Sequence, residues 1–208
     1  MSQRGISSDK RGAVGWITVL AGAGSSTELA RALQQQRHDP EVAVIVISNE
    51  RGEDVPPAVE ASGGPSVMDV LAFVEKPVVA RLDADAIGPG HSYLWGCDIV
   101  VAREDVVVSD IEADQDASTT GLGGGSMPFA PLYLPPTKLK EYLFLSRVWT
   151  AKQLAELNVI NYAVPAEQLD ATVDEVVGKL LARPAYVLAR VKRVTNKRLV
   201  RQWNLAQG

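Results

Sequence analysis

The side chains able to do chemistry are few, and most gather at one turn. Gly88, Pro89, Gly90, His91 and Ser92 follow one another directly. Gly90-His91-Ser92 has the start of a nucleophile elbow, in which a serine sits on a sharp strand-to-helix turn. Leu94 stands where the elbow's last glycine belongs, and the one other histidine, His38, falls at a helix end, so a serine hydrolase lacks its base. His91 has two readings, an acid or base in its own right or a residue held by a structural hydrogen bond at a helix start. Glu112 is either a proton carrier or a solvated loop acid beside Asp110 and Asp114. Cys97 sits among apolar residues, as a buried structural thiol does. Two histidines and one cysteine, scattered, make no metal site. The 121–125 run, Gly-Leu-Gly-Gly-Gly, lacks the Lys-Ser/Thr of a phosphate loop and reads as a lid or an unstructured stretch.

These residues need elements to hold them. Residues 14–20 and 42–47 are wholly apolar and rich in β-branched side chains, as in strands of a parallel sheet covered on both faces. Between them, Ser25 and Glu28 have capping-box spacing and open a helix reaching about Arg37, giving a βαβ unit. Residues 49–65 form a loop, 66–74 a short helix, and 78–82 a third strand. A turn over 83–90 leads into a short helix at 91–96, followed by strands at 98–102 and 106–109. Residues 113–136 form a second loop. Helices follow at about 137–146, 150–157 and 168–182, and Pro184 starts the last one as a first helical residue. Thr150 and Gln153 again have capping-box spacing. Leu169, Val173, Val176, Val177 and Leu180 give the 168–182 helix one apolar face, for the core or a subunit interface. Trp16, Trp95 and Trp149 read as core, and Trp203 as a partner contact. The last helix carries Arg183, Arg190, Lys192, Arg193, Lys197, Arg198 and Arg201 without an acid. That is either a solvated face or a site for an anionic phosphate or an acidic surface.

At 208 residues, 46% hydrophobic and 22% charged, the chain has the balance of a single globular unit. We divide it into a loose tail at 1–12, an α/β core at 13–135 and a helical segment at 136–208. The net charge of −4 argues against nucleic acid as the main partner. One cysteine precludes an intramolecular disulfide, which suits a reducing compartment. The first ten residues lack a signal-peptide core and no apolar run reaches membrane-spanning length, so the expectation is a cytoplasmic protein without a membrane partner.

Residues 76–112 carry a resemblance. Lys76-Pro77-Val78-Val79-Ala80, then Ala86-Ile87-Gly88, then Cys97-Asp98-Ile99-Val100 resemble, in order and spacing, the central motif of the crotonase superfamily of enoyl-CoA hydratases and isomerases. Residues 143–169 resemble a second family segment built on Thr150-Ala151 and Val164-Pro165. The resemblance covers about residues 14–197. It implies the crotonase (ClpP/crotonase-like) α/β fold, with parallel sheets of repeated ββα units flanked by helices and a helical C-terminal segment. It implies an acyl-CoA thioester as substrate or ligand, no resident cofactor, and a homo-oligomer, either a trimer or an assembly of trimers. Two backbone N–H groups would hold the thioester oxygen, and carboxylates would move protons. Carried onto this sequence, Gly88, Pro89 and Gly90 occupy the oxyanion turn, with Pro89 at the donor glycine. Proline has no N–H to give. Ser92 stands where hydratases carry their first glutamate, and Glu112 falls at the second. His91 could substitute for the missing acid. The other oxyanion segment, which also forms part of the adenine pocket, has only Gly63 and Gly64 as a counterpart. The alternative is a non-catalytic homologue that binds acyl-CoA or a protein partner.

Overall fold

The computed structural model describes residues 5–20, 26–50, 66–87, 89–109, 129–145 and 147–207. Its main sheet has six strands: β1 (Ile6–Arg11), β2 (Val14–Leu20), β3 (Val44–Glu50), β4 (Val78–Leu82), β6 (Ile99–Arg103) and β9 (Tyr162–Val164), adjacent in that order. From β2 to β9 every pairing is parallel. A second, three-stranded sheet joins β5 (Ala86–Ile87), β7 (Val107–Ser109) and β8 (Trp149–Thr150).

The apolar strands at 14–20 and 42–47 are explained by burial on both faces. Ile45 and Ile47 of β3, Val78, Ala80 and Leu82 of β4, and Val100 and Ala102 of β6 point into the larger core. There they meet α1 (Ser26–His38), α2 (Val67–Phe73), the 3-10 segment Pro89–Gly96 and α4 (Ala151–Glu156). The alternate residues Val44, Val46, Val79 and Val101 meet Leu169, Val173, Val176 and Val177 of α5 (Leu169–Leu181) on the opposite face. The apolar stripe read on residues 168–182 is therefore core. Gly96 ends the 3-10 segment against α2, where a Cβ would come within 3.0–3.1 Å of Leu71 and Met68.

Local capping follows the residue types. Ser66 caps α2 in a reciprocal box with Asp69. Thr150 and Gln153 do the same for α4, as their spacing predicts. The Ser25–Glu28 box lies partly outside the described residues. Lys76 donates to the Gln36 and Asp39 carbonyls at 2.8 and 2.6 Å, satisfying the end of α1.

Five readings need correction. Residues 6–11, taken as part of a loose tail, form β1. It pairs antiparallel with β2 around a turn in which Gly12 has φ +62°. Ile-Ser-Ser-Asp-Lys-Arg is mostly exposed. An edge strand needs no apolar pattern, because its stability comes from the ladder and from Gln36, which donates to Ser8 Oγ and the Asp9 carbonyl. Residues 136–208 are not only helical, since β8 and β9 complete the two sheets. Pro184 precedes a helix rather than opening it, and the last helix is two: α6 (Ala185–Thr195) and α7 (Lys197–Gln207), which follow α3 (Pro136–Phe144), α4 and α5. Trp203 is no exposed contact. It is 5% exposed, donates to Asp69 Oδ1 at 2.7 Å, and packs on Phe129. Trp95 and Trp149 are core as expected, whereas Trp16 is half-buried with the Arg11 guanidinium 4.0 Å from its ring centre.

Candidate active site at the carboxyl edge of the sheet

In an open parallel sheet, ligands bind beyond the carboxyl ends of the strands. Here that edge is tied together by the side chain of Asn49, at the end of β3. Asn49 is fully buried and donates from Nδ2 to the carbonyls of Ala84 (3.0 Å) and Asp85 (3.2 Å), while its own carbonyl accepts from the Asp83 N–H at 3.0 Å. Asp85 accepts from the Val107 N–H at 2.8 Å. The result fixes the 83–85 turn between β3 and β7, and with it β5 and the 3-10 segment that follows.

The 3-10 segment begins at Pro89. In i→i+3 bonding the first two residues have no N–H partner inside the helix. Pro89 has no N–H, so Gly90 alone keeps a backbone donor unclaimed by the helix. His91, 8% exposed, lies on the same turn with Nδ1 2.9 Å from the Ile87 carbonyl. A carbonyl only accepts, so Nδ1 carries the proton and Nε2 is the acceptor nitrogen. Nε2 is buried and has no hydrogen-bond partner among the described residues. Burial lowers the His91 pKa, and the Ile87 carbonyl opposes this only in part, so the ring is neutral at pH 7. Of the two readings made of His91, the geometry shows the structural one, a hydrogen bond through Nδ1 at the start of the 3-10 segment. The Tyr93 ring centre lies 6.2 Å from that of His91, and its buried hydroxyl also lacks a partner among the described residues.

Gly88, Glu112, Gly63 and Gly64 lie outside the described residues, as does the 121–125 run. Of Pro89, Gly90 and Ser92 only the backbone, within the 3-10 segment, is described, and His91 is the one predicted site residue whose side chain is described. The structure also places Ser109, beside Ile87 in the β5–β7 pairing and 2% exposed, three residues before Glu112. Cys97 is buried and donates to the Tyr93 carbonyl, and burial pushes its thiol pKa far up, which fits a structural and unreactive group. Among the described residues no cluster of metal-ligating side chains occurs and no helix is long and apolar enough to cross a membrane.

Asn49 escaped the sequence reading. Its signal is a polar pair, Ser48-Asn49, ending a run of buried apolar residues. Also unread was Arg81, 8% exposed, which reaches Ser48 Oγ and Asp170 across the α5 face.

No family model matches the chain. It is 28% identical over 155 residues to a mouse mitochondrial enoyl-CoA hydratase domain-containing protein, covering 66% of this chain and 51% of that one. It is 24% identical over 184 residues to a (7aS)-7a-methyl-1,5-dioxo-2,3,5,6,7,7a-hexahydro-1H-indene-carboxyl-CoA hydrolase of Rhodococcus jostii, covering 81% and 69%. A solved structure described as a probable enoyl-CoA hydratase, from Mycobacterium thermoresistibile, superposes with a TM-score of 0.78 at 25% identity, covering 97% of this chain and 92% of that one. The relatives and the solved structures agree on enoyl-CoA hydratases and related crotonase-superfamily proteins. The chain has the crotonase fold, with the α/β sheets and helical C-terminus expected from the resemblance of residues 76–112 and 143–169. Its match to the mouse relative spans about half of that protein's length.

Proposed function

We propose that this crotonase-fold protein binds an acyl-CoA thioester at the carboxyl edge and moves a proton on it through Glu112. The observation that carries the reading is the 83–85 turn held by Asn49 at the carboxyl edge, from which the chain runs through Ala86 and Ile87 toward the 3-10 segment that begins at Pro89. A backbone donor fixed at that edge can hold the thioester oxygen as negative charge develops on it. The relatives include a crotonyl-CoA hydratase and a carboxyl-CoA hydrolase, which agrees with a CoA thioester as ligand. With serine at position 92, water activation lacks its first carboxylate, so the reaction is a proton shift rather than a hydration. His91 Nε2, neutral and accepting, is a second proton acceptor on the same turn. A homo-oligomer accounts for the stripe on α6, where Tyr186, Val191 and Val194 are 76%, 54% and 57% exposed.

Pro89 favours a second reading, a homologue that binds the thioester without turning it over, because the oxyanion turn has one donor fewer. Calorimetric titration with crotonyl-CoA and with free coenzyme A tests the ligand. Binding tighter for the thioester supports the site, and absence of heat with both ligands refutes it. Double-bond shift assays of Glu112→Gln then separate the readings. Turnover lost with binding retained supports the enzyme, and a wild type that binds without turnover supports the second reading.

A further inference from the structure

The opposite, amino edge of the sheet carries a groove of about 640 Å³ between the end of α2 and the corner where α6 meets α7. Its volume lies within the range of small-molecule sites. The floor is apolar, with Ala72, Phe73, Val74, Val200 and Leu205. Phe73 and Leu205 are 48% and 67% exposed, large apolar groups left facing water. Arg193, Lys197 and Arg201 stand along one wall at four-residue spacing, and none forms an ion pair among the described residues. Lys192 also borders the groove, but its ammonium is committed to Asp98. Glu75 is the single acid in the lining.

The charge is segregated as well. From 185 to 207 the chain has six basic residues and no acid, whereas its other 15 basic residues face 25 acidic ones. Clustering like charges costs energy through mutual repulsion, which an anion bound among them would relieve. We propose that this groove binds an amphipathic anion, with a linear apolar body on Phe73, Val200 and Leu205 and a phosphate or carboxylate head between Arg193, Lys197 and Arg201. Its concavity favours such a molecule over a bilayer, which meets a flat or convex face. This site is separate from the carboxyl edge and does not depend on the acyl-CoA reading.

The test is calorimetric titration of the full chain with decyl phosphate and with decanoate, both below their micelle concentrations. Inorganic phosphate, decyl maltoside, vesicles of phosphatidylglycerol and phosphatidylcholine, and an acidic amphipathic peptide complete the set. The two amphipathic anions are expected to bind at micromolar concentration. Phosphate alone and the neutral maltoside should bind at least tenfold more weakly. Arg193→Glu with Arg201→Glu should weaken decyl phosphate at least tenfold. A Phe73→Ser variant should weaken it several-fold, with unchanged circular dichroism in both variants. Binding that survives the double charge reversal, equal affinity for inorganic phosphate, or preference for the vesicles or the peptide overturns the proposal. Crotonyl-CoA titration of the double variant is expected to match wild type. A failure there while decyl phosphate still binds wild type would count against the carboxyl-edge reading alone.

Discussion

Replacing Lys192 by methionine should destabilise the protein strongly, and more so at neutral than at mildly acidic pH. Lys192 is 6% exposed and donates to Asp98 Oδ2 at 2.6 Å and to the Lys76 carbonyl at 2.9 Å. The same Asp98 oxygen accepts from the Val78 N–H at 2.7 Å. One lysine thus joins α6 to the starts of β4 and β6. Lys192 is buried but the Asp98 side chain is 23% exposed, so removing the lysine leaves a part-solvated charge uncompensated, at a cost of about 3 kcal/mol, the lower end for buried pairs. For a chain of this length each kcal/mol shifts Tm by about 2–4 °C, so Lys192→Met should melt roughly 6–12 °C lower at pH 7.5. Burial raises the Asp98 pKa above its ordinary value, and Lys192 and the Val78 N–H pull it back only in part. A raised folded-state carboxyl pKa means that ionisation of Asp98 costs stability as pH rises through that pKa. Without Lys192 the pKa climbs further, so lowering the pH towards 5 protonates Asp98 and shrinks the deficit. Calorimetric melts of wild type, Lys192→Met and Lys192→Met/Asp98→Asn between pH 5 and 8 make the measurement, and the double variant should recover most of the loss. A single variant within about 1 kcal/mol of wild type at pH 7.5, or a deficit that does not change with pH, would refute the argument.

Further outcomes follow from the carboxyl edge and the core. Pro89→Gly restores the missing N–H, and any proton-shift activity should rise by up to about 10²–10³ in kcat; an unchanged rate means that this turn does not hold the oxyanion. Asn49→Ala leaves the Ala84 and Asp85 carbonyls without their donor, and should cost about 2–3 kcal/mol in urea unfolding while weakening crotonyl-CoA binding. His91 has a folded-state pKa below its ordinary 6.5, so the stability it contributes is present above pH 6.5 and is lost as pH falls through the folded value. His91→Gln should flatten that acid slope in pH-dependent melts. Trp203→Ala removes a buried ring and the donor to Asp69, with a loss of about 3–5 kcal/mol read by chemical denaturation.

The sequence alone determined the parts of this protein that follow from local periodicity and chain order. The doubly apolar strands at 14–20, 42–47 and 78–82, the Thr150–Gln153 cap and the stripe on residues 169–180 are each visible within a dozen residues, because burial on one or both faces writes itself into nearby positions. The short helix read at 91–96 was legible as well, and the structure starts it two residues earlier, at Pro89, whose lack of an N–H follows from the residue type alone. The tertiary structure decided everything that depended on partners far along the chain. Ile6–Arg11 is polar and becomes a strand only because β2 offers its edge. Trp203 is core because Asp69 and Phe129 reach it. Lys192, one of several cations in the last helices, is buried because Asp98, 94 residues earlier, neutralises it. Asn49 organises the candidate site through carbonyls 35 and 36 residues away. A polar residue's role is set by its partner, and when that partner is distant no window on the sequence contains both.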